Sequence, residues 1–222
     1  MELKKVEYTV QTILKGSEYL GEGASKEAYV KNGIVYKVPR GRYIITQNVD
    51  SYIGLKYPTK MSEVDDFLMV VADTDEAMVW PLGQFAIELI VWNAIQQLRS
   101  EGLEINCFAE IKDYYMTADG VIVIEQELAD GADVEYYHNE EAEEQMSDLI
   151  AELDLLEPIL AERFDIKLRD IREGNCGQVD GRMKLFDFGI STSTQLDSYG
   201  SYSSYTEDSY SEDDYSEENS WE

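Results

Sequence analysis

DIKLRDIREGNCGQVDGRMKLFDFG, residues 165–189, places two carboxylates, Asp170 and Asp187, and one amide, Asn175, in a loop, a hairpin and a strand end. Asp170 and Asn175 stand five positions apart on a segment broken by Gly174 and Gly177. A short apolar strand, 183–186, follows, and Asp187 comes at its end, ahead of Phe188 and Gly189. Val179-Asp180-Gly181-Arg182 has the Asp-Gly dipeptide of a tight hairpin turn. Read alone, the stretch is an acidic loop followed by a β-hairpin, and in a chain with 46 acidic residues a single Asp says little. Three polar groups in this order, at hairpin spacing, say more than any one of them.

That layout resembles the protein kinase-like superfamily, in which a catalytic loop of the form HRDxxxxN is followed, after a short hairpin, by DFG. Phosphoryl transfer needs little covalent help, so such a site mainly positions metal, phosphates and acceptor hydroxyl. The resemblance implies that Asp170 accepts the acceptor's proton and that Asn175 and Asp187 hold Mg²⁺, with Asp187 bridging the metal to the β- and γ-phosphates. Oxygen ligands of this kind suit a hard cation. Arg172 stands where many relatives carry a lysine that neutralises the γ-phosphate. Leu168 replaces the histidine of the pattern, which is architectural, so the departure bears on loop geometry more than on chemistry.

Upstream, YLGEGASKEAYVKNGIVYKV (19–38) has two apolar runs around glycines and reads as consecutive antiparallel strands. Gly21, Glu22 and Gly23 resemble the start of the glycine-rich loop that covers ATP phosphates, where glycine lets backbone amides approach closely. Lys26 replaces the third glycine, Ala28 stands where a valine often packs on adenine, and the order Lys26-Glu27-Ala28 is similar to the RIO atypical kinases. The plainer reading of the glycines is a hairpin turn. The strand 34–38 matches the pattern whose lysine, here Lys37, binds the α- and β-phosphates. Alternation puts Lys37 on the face of Val35, which favours an inward lysine over a solvent-facing one.

Residues 39–80 read as an insertion with a helix over 62–71. The spacing of Phe85, Leu89, Trp92, Ile95 and Leu98 predicts a helix over 81–99, with Pro81 in its first turn. Glu88 is flanked by apolar residues on both sides, so it is expected to be enclosed, and an enclosed carboxylate needs a partner. The resemblance makes that partner Lys37; the alternative is an exposed helix edge. Segments 106–115 and 121–128 form a hairpin around Asp119-Gly120, and backbone groups near Glu125 and Glu127 are implied as the adenine-binding hinge. A helix over 140–156 is expected to end or kink at Pro158, with a second short helix running to Phe164. His138, the one histidine, is given no role.

The 222 residues are 44% hydrophobic, enough for a core, and carry a formal charge of −28. That charge argues against direct binding of nucleic acid or anionic membranes and leaves basic proteins open as partners. Two cysteines, Cys107 and Cys176, no cationic apolar leader and no membrane-length apolar run give the expectation of a cytoplasmic protein. After Gly189 the composition changes: 191–222 has no Lys or Arg and is rich in Ser, Tyr, Asp and Glu, the signature of a disordered tail. Removing its nine acidic residues from the total leaves −19 on the rest.

The expected architecture is therefore α+β, a two-lobed protein kinase-like fold with a truncated helical C-lobe: 1–127 the N-lobe with its insertion, 128–190 the C-lobe, 191–222 the tail. No Ala-Pro-Glu segment or later helices follow DFG, so the resemblance covers about 19–190. It implies an ATP- and Mg²⁺-dependent phosphotransferase acting on Ser/Thr of a protein substrate, its own tail included. The alternatives are a catalytically weak pseudokinase scaffold and an acidic DNA mimic that binds basic proteins.

Overall fold

The computed structural model describes residues 3–23, 25–40, 56–74, 78–131, 140–169 and 171–188. Within them the chain is α+β. A six-stranded sheet takes β1 (Lys4–Lys5), β2 (Glu18–Glu22), β3 (Lys26–Lys31), β4 (Ile34–Pro39), β5 (Ile111–Met116) and β6 (Ile122–Glu127) in the order β1-β5-β6-β4-β3-β2. Every pairing is antiparallel except β1 with β5. Local chemistry explains the β3–β4 hairpin: Asn32 and Gly33 both take positive φ, 54° and 76°, as a two-residue turn between right-twisted strands requires.

The short helix α1 (Val10–Leu14) is capped by the Thr9 side chain, which accepts from the Thr12 amide. Asp119, in the β5–β6 turn, accepts from the Val10 amide at 3.0 Å and so fastens α1 to the sheet. Helix α2 (Val64–Thr74) follows a 3₁₀ turn at Met61–Glu63, where Glu63 accepts from the amide and hydroxyl of Thr59. It extends the helix expected over 62–71. Helix α3 (Val79–Ser100) contains the expected 81–99, and sixteen of its residues are buried. It lies between the sheet and α2, so apolar residues recur all round it rather than along one stripe. Gly102, with φ 98°, closes it: the Leu103 amide donates back to the Leu98 carbonyl.

Helix α4 (Glu140–Phe164) does not end at Pro158: it is a single helix that runs through the proline, in place of two successive helices. Leu149, Leu153, Leu156 and Leu160 form a buried stripe on both sides of that position, while Pro158 and Asp154 are exposed. The backbone carbonyl that loses its donor thus belongs to an exposed turn, where water can satisfy it, and packing of the stripe holds the helix together. The helix ends on Asp165, at φ 57°, with the Ile166 amide donating to the Leu160 carbonyl and Ile166 fully buried.

A second sheet, in the order β7-β8-β9, joins β7 (Asp130–Gly131) to the hairpin of β8 (Cys176–Val179) and β9 (Arg182–Leu185). The hairpin turns at Asp180 and Gly181, φ 52° and 76°, as the Asp-Gly dipeptide predicts. Segment 103–110 stitches it beneath the large sheet: Leu185 donates to the Cys107 carbonyl at 2.8 Å and accepts from the Ala109 amide at 2.9 Å. No helix among the described residues is long and apolar enough to cross a membrane.

Candidate active site between the two sheets

A cavity of about 770 Å³ is lined by strands of the large sheet, by α3, and by Asp130 of β7 with the segments that flank the β8–β9 hairpin. Its roof is the β2–β3 turn and the inner face of β4, its rear wall is α3, and its floor is the segment 172–187. Strand alternation decides which side chains enter. Val35 and Lys37 share the inner face of β4, and Ala28 of β3 stands opposite Lys37 in register. Lys26, two residues before Ala28, therefore points the same way.

Glu88, on the second turn and a half of α3, is 0% exposed and receives both lysines. Lys37 Nζ donates to one carboxylate oxygen at 2.7 Å. Lys26 Nζ donates to the other. The two ammonium groups differ in their second partners: Lys37 donates to the Phe186 carbonyl at 2.6 Å, Lys26 to the Asp187 carboxylate at 2.6 Å. Both lysines are buried, 5% and 6% exposed. Burial pushes the Lys26 ammonium toward deprotonation, but the charges of Asp187 and Glu88 outweigh it and leave its pKa above the ordinary lysine value. Phe85 and Phe188 lie with ring centres 5.9 Å and 5.8 Å from the Lys26 and Lys37 nitrogens.

Asp187 is held by what flanks it. Phe188 is fully buried and packs edge-on against Phe108, ring centres 5.3 Å apart. The Asn175 carbonyl accepts from the amides of Phe186 and Asp187 at 2.9 and 3.3 Å, and the Asn175 amide donates to the Arg172 carbonyl. These bonds bring Asn175, Asp187 and the half-exposed loop carrying Arg172 to one side of the cavity. The roof contributes Gly21, Glu22 and Gly23; the Gly23 amide donates to the Lys26 carbonyl, and the Glu22 carboxylate pairs with Arg40 at 3.1 Å.

Of the residues singled out from sequence, the cavity thus gathers Lys37, Glu88 through its lysine partners, Asn175, Asp187, Arg172, Gly21, Glu22, Gly23 and Glu127. Asp170, the Glu173 side chain, His138 and everything after Phe188 lie outside the described residues, as do 41–55 of the expected insertion. Glu125 is one of the positions whose backbone is expected at the adenine hinge. It does not line this cavity; alternation along β6 turns its side chain to the opposite face, where it accepts from the Tyr115 hydroxyl at 2.6 Å beside a second, shallower groove. Glu127 does reach the cavity, but its amide already donates to the Glu110 carbonyl, and its carboxylate holds the Glu110 amide and Lys184. Beyond it Leu128, Ala129 and Asp130 continue the lining, Asp130 already paired with Gln178 of β8.

Sequence reasoning missed Lys26 as a member of the site, along with Trp80 and Gln84, which line it from α3. The signal for Lys26 was present: in an alternating strand paired through the Asn32-Gly33 turn, Lys26 and Lys37 fall on one face.

Among the described residues no group of three or more His, Cys, Asp or Glu side chains is gathered as a metal site. Two side chains that line the cavity, the Asp187 carboxylate and the Asn175 amide, carry hard oxygen donors of the kind Mg²⁺ takes when phosphates and water complete its shell. A cationic group, the Lys26 ammonium, sits on the Asp187 carboxylate, which shows that this oxygen is placed to receive positive charge. The chain matches no family model and no curated protein.

Proposed function

We propose that this chain is an ATP- and Mg²⁺-dependent phosphotransferase with a two-lobed, kinase-like organisation, the six-stranded sheet and α3 above, α4 and the small sheet as a truncated lower half. The single observation that carries the reading is the meeting of Lys37, Glu88, Asn175 and Asp187, drawn from four separate parts of the sequence, at one cavity of about 770 Å³. That volume suits a nucleotide, since ligand sites run from about 300 to 1,000 Å³. In this reading Leu128 to Asp130 offer backbone groups to the base, Lys37, held by Glu88, binds the α- and β-phosphates, and the Gly21–Gly23 turn lies over them. Asp187 and Asn175 hold Mg²⁺, which when bound neutralises charge on the transferring phosphoryl group. Arg172 faces the γ-phosphate, and Asp170, placed by the loop order in the sequence, takes the proton of the acceptor hydroxyl. A Ser/Thr hydroxyl of a protein in the cytoplasm is the proposed acceptor.

Titration calorimetry with Mg·ATP tests the reading. Wild-type chain should bind with a dissociation constant in the micromolar to low millimolar range and Lys37→Met should bind at least about tenfold more weakly. Absence of binding by the folded wild type would remove the proposal.

A further inference from the structure

Lys26, Glu88, Lys37 and Asp187 form one continuous network of two cations and two anions. Glu88 is fully buried and the two lysine side chains are 7% and 6% exposed, while Asp187, at 37%, opens the network to the cavity, so neutrality matters most around Glu88 and the lysines, where excess charge has little water to screen it. The two lysines are not equivalent. Lys37 spends its second contact on a neutral carbonyl, Phe186, whereas Lys26 spends its own on the carboxylate that the phosphotransferase reading assigns to the metal. A divalent cation arriving alone at Asp187 would meet the Lys26 ammonium and leave a surplus of positive charge beside two buried lysines. A polyphosphate arriving with it would supply the missing negative charge, in a cavity that Lys26 already lines.

Resting on that reading of the site, we propose that Lys26 is a phosphate-responsive latch: its ammonium occupies Asp187 in the nucleotide-free protein and moves to the nucleotide's phosphates, so that metal binds Asp187 only together with a polyphosphate. The movement needs only the side chain. The Lys26 carbonyl is fixed by the Gly23 amide at 2.8 Å, and a lysine head turns on a flexible four-carbon stem. Glu88 keeps Lys37 throughout, so the buried carboxylate is never left without a cation. By linkage, metal must then raise nucleotide affinity by the same factor that nucleotide raises metal affinity.

The test is Mn²⁺ binding to the full chain, followed by the free-ion resonance signal, with and without a non-hydrolysable ATP analogue. In Lys26→Met, Mn²⁺ without nucleotide should bind about tenfold tighter or more than in wild type, and the mutual enhancement of Mn²⁺ and analogue should shrink by a similar factor. Mn²⁺ affinity within about twofold of wild type in the folded variant overturns the latch. Should Lys26→Met fail to fold, a crystal structure of wild type with Mg²⁺ and the analogue decides: Lys26 Nζ on a phosphate oxygen supports the latch, and Lys26 Nζ still on Asp187 overturns it. A wild type that binds no analogue sinks the phosphotransferase reading and the latch together, while normal analogue binding with unchanged metal affinity sinks the latch alone.

Discussion

Glu88 is the residue on which the site turns, because a carboxylate with no exposure must keep a cation or lose its charge. Glu88→Ala leaves two buried lysines facing each other and should cost about 3 to 5 kcal/mol in denaturant unfolding. The single changes Lys26→Met and Lys37→Met should each cost less, since the other lysine still reaches a Glu88 oxygen. The double variant should then lose more than the sum of the two, by about 0.5 to 3 kcal/mol of coupling. Additive losses would show that the lysines do not share the carboxylate. This much of the site was half legible in the sequence. Glu88 among apolar neighbours demanded a partner, and Lys37 on an inward strand face supplied one. Lys26 escaped because it was read against a glycine pattern, a comparison of residue identity, when the information lay in the two-residue period of its strand.

At the scale of elements, hydrophobic periodicity recovered α2, α3 and the two hairpins to within a few residues, because apolar spacing and Asn-Gly or Asp-Gly turns are local signals. It divided α4 into two helices at Pro158, where helix termination was overridden by burial of the leucines on either side, a tertiary effect. Periodicity found the strand that carries Glu125, but which of its faces met the cavity depended on packing. Gly177 shows how closely the elements are fitted. A Cβ there would lie 2.7 Å from the Asp130 carbonyl oxygen and 3.0 Å from the Ala129 Cβ, so Gly177→Ala must push β7, and with it the cavity edge at 129–130, away from β8. A loss of about 1 to 3 kcal/mol with weakened nucleotide binding is expected, checked by denaturant titration and calorimetry. The far ends of α3 and α4 are tied by Arg163, which grips Glu101 through both guanidinium nitrogens at 2.7 and 2.8 Å. Its hydrogen bonds hold the Glu101 carboxyl down to about 2 from 4.5. A depressed carboxyl contributes stability that is present above its unfolded value and lost as pH falls through the folded one. Wild type should therefore melt above Glu101→Gln near neutrality, with the gap closing between pH 4.5 and 2. A constant gap would mean the pair adds nothing through charge.

For the molecule as a whole, composition bounded the partners and the loop order suggested the chemistry, but only the structure brought residues 37, 88, 175 and 187 to one place. The charge of −28 is spread through residues 1–190 and 191–222 alike. Such self-repulsion is screened by salt, so melting temperature should rise as NaCl increases from low ionic strength, and a flat response would show that the acidic groups are already compensated. In the proposed reading the Ser- and Tyr-rich segment 191–222 would be an internal acceptor, since covalent attachment raises its effective concentration toward the millimolar range. Mass spectrometry after incubation with Mg·ATP should find phosphate between 191 and 222 in wild type and none in Asp187→Asn. The most direct test of the central claim is turnover of the γ-phosphate of isotopically labelled Mg·ATP, to protein or to water, by wild type and by a folded Asp187→Asn chain. The account predicts measurable turnover that falls by about two orders of magnitude or more on removing the Asp187 charge. Equal turnover by the two proteins, or none by a wild type that binds Mg·ATP, would contradict it.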